Sequence, residues 1–248
     1  MTSPSPARVP RFHVEGRLET GLQLLLPAVA GHHAARVLRL REGDAVTLFD
    51  GSGGEYAARI LRLARDAVTV EIDAFTALER ESPLLVTLAQ GISAGDRMDL
   101  TIQKAVELGV LAIQPLLAER SVVRLKGERS DSRREHWQRV ATAACEQCGR
   151  NRVPMVAGAI ATTHYAAAPE ALKLLLAPGA SASLRSLAVS SQVPITIAAG
   201  PEAGFSPSEQ ARLIAGGFRP VHLGPRVLRT ETAAPAALAA LNALHGDA

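Results

Sequence analysis

Arg226, Arg229 and Glu231 lie close together in Leu223-Gly-Pro-Arg-Val-Leu-Arg-Thr-Glu-Thr-Ala233. Two guanidiniums and a carboxylate at that spacing can stabilise developing negative charge and accept a proton. A second segment, Gly200-Pro201-Glu202-Ala203-Gly204-Phe205-Ser206, crowds glycine and proline directly after the apolar run 194–199. In open α/β sheets ligands sit at the carboxyl edge of the strands, where such loops bring backbone N–H groups close to them. Together the two segments predict a small-molecule pocket walled by backbone, with a few charged side chains reaching in.

The elements that must hold these loops follow an α/β pattern. Residues 84–89, 112–117, 172–177, 194–199 and 221–223 are short apolar runs suited to buried parallel strands. Residues 97–108 predict a helix whose apolar side carries Met98, Ile102, Ala105 and Val106, with Lys104 and Glu107 one turn apart and able to pair. Ser132-Arg-Arg-Glu135 has capping-box form and predicts a helix from there to about Gly149. Ser206-Pro207-Ser208-Glu209 is a second box with proline at the first helical position, and that helix should stop at Gly216-Gly217. An Ala/Leu-rich helix over 233–244 closes the chain.

The N-terminal part is β-rich instead. Runs 46–49 and 56–63 flank Asp50-Gly51-Ser52-Gly53-Gly54, a hairpin signal, and 67–72 adds another strand. A short helix between residues 28 and 40 carries His32, His33, Arg36 and Arg39, which with Arg11 can form one basic surface. The charged Glu79-Arg80-Glu81-Ser82-Pro83 reads as a linker, giving domains at 1–78 and 79–248, and residues 2–6 read as disordered.

Bulk properties exclude several classes. The 248 residues, 47% hydrophobic with a net charge of +3, are enough for one large domain or two modest ones. Charge is clustered: six arginines against two glutamates from Met1 to Arg41, and nine basic against four acidic residues from Arg120 to Arg152. Such clusters suit phosphate contacts, although an ordinary solvated face has the same composition. No apolar run approaches the roughly 20 residues of a membrane span, and the N-terminus lacks a secretory h-region, which predicts a cytoplasmic protein. Cys145 and Cys148 form a lone Cys-x-x-Cys late in a helical segment, without further zinc ligands at suitable spacing, so no metal site is expected. There is no Gly-x-Gly-x-x-Gly after a strand, no Walker loop and no Gly-x-Ser-x-Gly.

The chain resembles the small-subunit (16S) rRNA uracil-N3-methyltransferases of the knotted SPOUT superfamily along nearly its whole length. The family forms G-P-E-G-G-F-S and L-G-x-R-I-L-R-x-E-T-A match here with Ala203 for one glycine and Val227 for isoleucine. Further matches are His33 to Arg39, Gly43-Asp44, Asp96-Arg97-Met98-Asp99, Gln103 to Gly109, Glu119-Arg120-Ser121 and Glu146-Gln147-Cys148-Gly149-Arg150. The resemblance implies a PUA-like N-terminal β-barrel, an α/β trefoil-knot methyltransferase domain, a homodimer, and S-adenosyl-L-methionine held bent by three loops. Carried over by position, the cofactor contacts are Leu176, Gly200, Pro201, Glu202, Gly204, Leu223, Gly224, Leu228 and Thr232. The implied partner is small-subunit rRNA or the assembled small ribosomal subunit.

Methylating uracil N3 requires loss of the imide proton, so the site needs a proton acceptor, a cation beside the carbonyl oxygens, or both. Arg226 and Arg229 are the candidate cations; Glu231 is either the base or the partner that orients one of them. Arg11, Arg36, Arg39, Arg120 and Arg124 are candidate RNA phosphate contacts. Gln147 can read the uracil edge and Arg150 can meet a phosphate or the cofactor carboxylate, whereas Glu146 can equally be one half of a structural ion pair with a nearby arginine. Two readings stand beside the N3 reaction: ribose 2′-O-methylation on the same fold, and RNA binding without catalysis. Two departures bear on them. Ala203 replaces a glycine, which makes a positive φ there costly, and Ala94 stands where a lysine commonly precedes Gly-Asp.

Overall fold

The computed structural model describes residues 9–65, 67–123, 127–190 and 192–248. The expectations for residues 2–6 and for Arg124 lie outside them. The chain forms two compact units, Met1–Glu81 with Cys145–Val153 and Ser82–Ala144 with Pro154–Ala248.

The first unit holds a five-stranded sheet. Its strands are β1 (Arg11–His13), β2 (Gln23–Leu25), β3 (Ala45–Phe49), β4 (Glu55–Ala64) and β5 (Ala67–Thr76), in the order β1-β3-β4-β5-β2. β1 runs parallel to β3 and the other pairs are antiparallel. Alternation drives the packing: Val46 and Leu48, Ala58 and Ile60, and Val68, Val70 and Ile72 point to one buried core with Phe12, Leu18 and Leu26. Asp50 Oδ1 accepts from the backbone N–H and hydroxyl of Ser52 and so shapes the predicted turn. The predicted short helix divides into α1 (Ala28–His32) and a π-helical turn, His33–Val37, beyond which Arg39 takes a left-handed φ of 54°.

Arg11 does not join a basic surface. It is 9% exposed, donates to Glu55 and Asn151, and lies 5.1 Å over the Phe49 ring. Arg80 also donates to Glu55 Oε2, at 2.9 Å, and to the Gly149 carbonyl. Arg150 is likewise buried, at 4% exposure, and paired with Glu81. The basic-surface expectation for Arg11 and the phosphate or cofactor-carboxylate expectation for Arg150 both meet buried side chains already paired with Glu55 and Glu81.

The second unit is a parallel sheet with helices between its strands. Its strands are β6 (Val86–Gly91), β7 (Ala112–Leu117), β8 (Met155–Val156), β9 (Ile160–Ala161), β10 (Leu172–Leu176), β11 (Ala182–Ser183), β12 (Ile195–Ala199) and β13 (Arg219–His222). The order is β11-β13-β10-β12-β6-β7-β8, with β9 also beside β7. All five residues of β12 are buried, as expected for an apolar run covered on both faces. The helices are α2 (Arg97–Glu107), α3 (Glu128–Cys148), α4 (Pro207–Ala215) and α5 (Thr230–His245).

In α2, Met98, Ile102, Ala105 and Val106 are buried and Lys104 pairs with Glu107 at 2.8 Å. α4 has its reciprocal capping box: Ser206 Oγ accepts from the Glu209 N–H at 3.2 Å, and Glu209 Oε2 accepts from the Ser206 N–H at 2.8 Å. Two helix starts differ from expectation. α3 begins at Glu128, after Gly127 with its φ of 53°, so Ser132 sits inside a helix whose backbone N–H groups already have partners and its box has nothing to cap. α5 begins at Thr230 rather than Ala233, which places Glu231 and Thr232 in its first turn.

Replacing Arg11 by methionine should lower the unfolding free energy by about 3 kcal/mol, because Glu55 and Asn151 lose a buried partner. Chemical denaturation followed by circular dichroism measures this; wild-type stability combined with weaker RNA binding would return Arg11 to the RNA surface. The acid dependence has a defined sign. Burial pushes the Glu55 carboxyl up, but hydrogen bonds from Arg80 and Arg11 outweigh it and hold the group below its ordinary value. Its contribution is therefore present above the unfolded carboxyl's range and is lost as pH falls through the lowered folded value.

Candidate active site

The carboxyl ends of β10, β12 and β13 open into a cavity of about 930 Å³. Three loops form its walls: residues 176–181 after β10, 200–205 after β12, and the segment after β13 that runs into α5. Arg97, in the first turn of α2, reaches it from the other side of the sequence. Leu175, Leu176, Pro178, Val221, Leu223 and Leu228 supply apolar surface suited to a flat ring, and the charged side chains on its walls are Arg97, Glu202, Arg226, Arg229 and Glu231.

Backbone geometry shapes the β12 loop. A Cβ on Gly91 would lie 2.5 Å from the Pro201 nitrogen, and one on Gly200 would lie 2.9 Å from Gly204 Cα. Both contacts are with main chain that cannot yield, so only glycine fits. The Gly204 N–H closes a turn onto the Pro201 carbonyl at 2.8 Å, and the left-handed residue of that turn is Gly204, at φ 67°. The strain expected at Ala203 does not arise, because the positive φ falls one residue later on a glycine this chain retains. Glu202 Oε1 accepts from the Ala94 N–H at 2.9 Å and from Arg97 at 3.1 Å. Burial pushes the Glu202 carboxyl up, yet hydrogen bonds from its own N–H, Ala94 and Arg97 hold it below the usual range. Position 94 thus contributes through its backbone.

Of the expected cofactor contacts, Leu176, Gly200, Pro201, Glu202, Gly204, Leu223 and Leu228 line the cavity. Gly224 and Thr232 are not among the lining residues. Gly224, at φ 111°, turns the chain while its N–H donates to His222 Nδ1 at 3.0 Å, and Thr232 is exposed on α5. The three expected catalytic residues come together on the cavity. Arg226 and Arg229 are exposed, whereas the Glu231 side chain is 15% exposed. Glu231 Oε2 is buried with no hydrogen-bond partner among the described residues; its nearest cation is Arg97 Nε at 3.9 Å. That leaves a buried acceptor oxygen without a hydrogen-bond partner in a side chain that lines the cavity.

Sequence reasoning missed four contributors: Arg97, Gln90, Ser93 and Thr230. Thr230 Oγ1 donates to the Gly200 carbonyl at 2.9 Å, and Gln90 and Ser93 converge on the same hydroxyl. A signal for Gln90 existed, since a polar residue ending the run Val86-Thr-Leu-Ala-Gln falls at the ligand edge of a buried strand.

Of the expected RNA contacts, Arg36, Arg39 and Gln147 are exposed in the first unit and Arg120 is exposed in the second. Glu146 accepts the His13 N–H at 2.9 Å; burial pushes its carboxyl up, partly offset by that bond. Its structural partner is therefore a backbone amide, not an arginine. Cys145 and Cys148 are free thiols in the last turn of α3, and burial pushes the Cys145 thiol up to about 12.

Comparison with known proteins gives this geometry a context. Residues 80–242 match the model of an RNA methyltransferase domain and residues 30–73 that of an RNA methyltransferase PUA domain. A methyltransferase structure from Legionella pneumophila, in complex with S-adenosylmethionine, is 40% identical with a TM-score of 0.93, covering 98% of this chain and 100% of that one. Ribosomal RNA small subunit methyltransferase E from Neisseria gonorrhoeae, bound to S-adenosylmethionine, is 40% identical with a TM-score of 0.89, covering 97% and 99%. The protein of the same name from Buchnera aphidicola is 31% identical over 97% of this chain and 95% of its own length. With its PUA-like sheet, its parallel α/β domain and its glycine-walled cavity, the chain belongs to the ribosomal RNA small subunit methyltransferase E family.

Proposed function

We propose that this protein transfers the methyl group of S-adenosylmethionine to N3 of a uracil in small-subunit (16S) rRNA. The observation that carries the reading is the cavity itself: both motif loops wall it, and Glu231, one of whose carboxylate oxygens is buried without a hydrogen-bond partner among the described residues, is among its lining residues. The cavity's volume suits a cofactor-sized ligand. Its residues also fit one that is cationic at sulfur and contains a flat purine, through apolar walls, main-chain groups at Gly200 and Gly204, and nearby carboxylates.

S-adenosylmethionine supplies an electrophilic methyl group on a sulfonium, and the protein must bind, orient and manage charge. The Glu231 carboxylate accepts the imide proton as N3 becomes nucleophilic, becomes a neutral carboxyl, and releases the proton to solvent once the methyl has been transferred. Arg226 and Arg229 meet the negative charge that spreads onto the uracil carbonyl oxygens. Arg36, Arg39, Gln147 and Arg120 serve the RNA, Arg39 being presented just beyond a π-helical turn, a feature frequent at functional sites. The target uridine must be unstacked before its N3 can enter the cavity. The working form is a homodimer in the cytoplasm; among the described residues no helix is long and apolar enough to cross a membrane.

Incubation with methyl-labelled S-adenosylmethionine and small ribosomal subunits lacking the modification, followed by nucleoside mass spectrometry, tests the whole reading. 3-Methyluridine is expected. A 2′-O-methylated nucleoside would keep the fold and overturn the N3 chemistry, and absence of label would favour RNA binding without catalysis. Gly200→Val should abolish cofactor binding in calorimetry, since its Cβ meets Gly204 Cα at 2.9 Å and the Phe205 nitrogen at 3.0 Å; unchanged affinity would remove this loop from the site. Arg226→Ala and Glu231→Gln should each lower kcat by about 100-fold, the scale of one charge-stabilising or proton-accepting group. RNA affinity should fall far less. Equal losses in rate and RNA affinity would make Arg226 an RNA-binding residue.

A further inference from the structure

Three buried side chains beside the cavity converge on a single atom. Gln90, Ser93 and Thr230 are 0%, 3% and 7% exposed, and they come from the end of β6, the loop after it and the first residue of α5. Thr230 Oγ1 lies 2.9 Å from the Gly200 carbonyl, 3.2 Å from Gln90 Nε2 and 3.1 Å from Ser93 Oγ. Distance and proton count together orient the bonds. A carbonyl can only accept, and the Gly200 oxygen at 2.9 Å is the shortest of these contacts, so it takes the one hydroxyl proton of Thr230 in preference to Ser93, whose other neighbour is the Gly91 carbonyl at 3.4 Å. Thr230 Oγ1 then has two acceptor positions left, one filled by Gln90 and the other by Ser93.

The same count orients the Gln90 amide. Its nitrogen faces the Gly91 carbonyl at 2.9 Å, the Gly200 carbonyl at 3.4 Å and the Thr230 hydroxyl. The reversed amide would set an oxygen against two carbonyl oxygens. Gln90 Oε1 is left buried with no partner among the described residues, a desolvation cost accepted to keep the nitrogen in place. The adjoining loop is fastened as well, because Ser121 Oγ donates to the Ile92 carbonyl at 2.7 Å.

We infer that Thr230 is a positioning residue for methyl transfer. Its hydroxyl ties the ends of β6 and β12 to the start of α5, and so fixes the cofactor loop at Gly200 relative to the neighbouring Glu231. Two of these three chain segments carry the residues assigned to the cofactor and to the proton. If their mutual placement sets the distance between methyl group and nitrogen, losing the tie lowers cofactor affinity and turnover together. The inference rests on the S-adenosylmethionine reading above.

The decisive variant is Thr230→Val, which keeps the branched shape and removes the hydroxyl. Calorimetry should show S-adenosylmethionine Kd raised about tenfold, equivalent to about 1.4 kcal/mol, and kcat at saturating cofactor and RNA should also fall. Thr230→Ser, which retains the hydroxyl, should bring both values back to within about twofold of wild type. Ser93→Ala removes one donor and leaves the Thr230–Gly200 bond, so an intermediate loss of about threefold is expected, and this variant suffices if the valine protein does not fold. A stability control is Gln138→Ala, which removes bonds to the Pro154 carbonyl and the Val156 N–H beside β8, the opposite edge of the sheet. It should lower Tm and leave Kd unchanged. Wild-type Kd and kcat in both Thr230→Val and Ser93→Ala would overturn the inference, as would a serine variant no better than valine. So would an equal loss of affinity in Gln138→Ala. If the wild-type protein itself does not bind S-adenosylmethionine, the cofactor reading fails first and this one with it.

Discussion

Two adjacent parallel strands end so close together that a single added carbon does not fit between their exits. β6 and β12 pair through Ala199 opposite Gln90, and the next residue of β6, Gly91, abuts the Pro201 nitrogen. The rest of the second unit's site follows from that approach. Proline bends the chain away, Gly204 takes the left-handed turn, and Phe205 enters the core beside Ala89, Leu116, Ala198 and Leu213. Ser206 then caps α4. Glycines raise the entropic cost of ordering such a loop. Burial of the Phe205 ring offsets part of it, at about 1.5–3 kcal/mol for a large apolar side chain, and the capping box adds about 1 kcal/mol.

Charge is divided by depth. In the first unit, Arg11 and Arg150 are enclosed and matched with Glu55 and Glu81, so their charge is spent on holding segments together. In the second, Arg226 and Arg229 stay exposed. A guanidinium in water keeps its attraction for phosphate or a developing oxyanion, and salt weakens that attraction. Arg97 is intermediate: it is bonded to Glu202, and Glu231 lies just beyond hydrogen-bond reach. That near miss leaves one carboxylate engaged with the loop and the other with an uncommitted oxygen.

Much of this was legible from residue order because it depends on local chemistry. The fully buried β12 is a continuous apolar run, the α4 start is a reciprocal pair of side chains three residues apart, and the hairpin at Asp50–Gly54 has the turn residues its backbone requires. What escaped depends on partners distant in sequence. Nothing local distinguishes Arg11, whose acceptors lie at positions 55 and 151, from an exposed arginine in the same cluster. Ser132 has capping-box form but sits inside a helix. Ala203 carries no backbone penalty because the turn puts its positive φ on Gly204. Thr230 occupies the variable position of its motif, and its importance arises only where Gln90 arrives from the end of β6 and Ser93 from the loop after it.

The last turn of α3 and the residues after it, Cys145–Val153, belong to the first unit. Arg11 meets Asn151 across 140 positions of sequence, and Glu146 receives the amide of His13. Synthesis at roughly 5–20 residues per second leaves an interval of several seconds between emergence of the N-terminal strands and of these partners. Through that interval Arg11 can reach Glu55 but not Asn151. Closing so long a loop costs little more than closing a shorter one, because the penalty grows only with the logarithm of length. Vectorial assembly, with the N-terminal unit finished before the next begins, is therefore closed to this chain: its first module is completed by a piece of polypeptide made after much of the second.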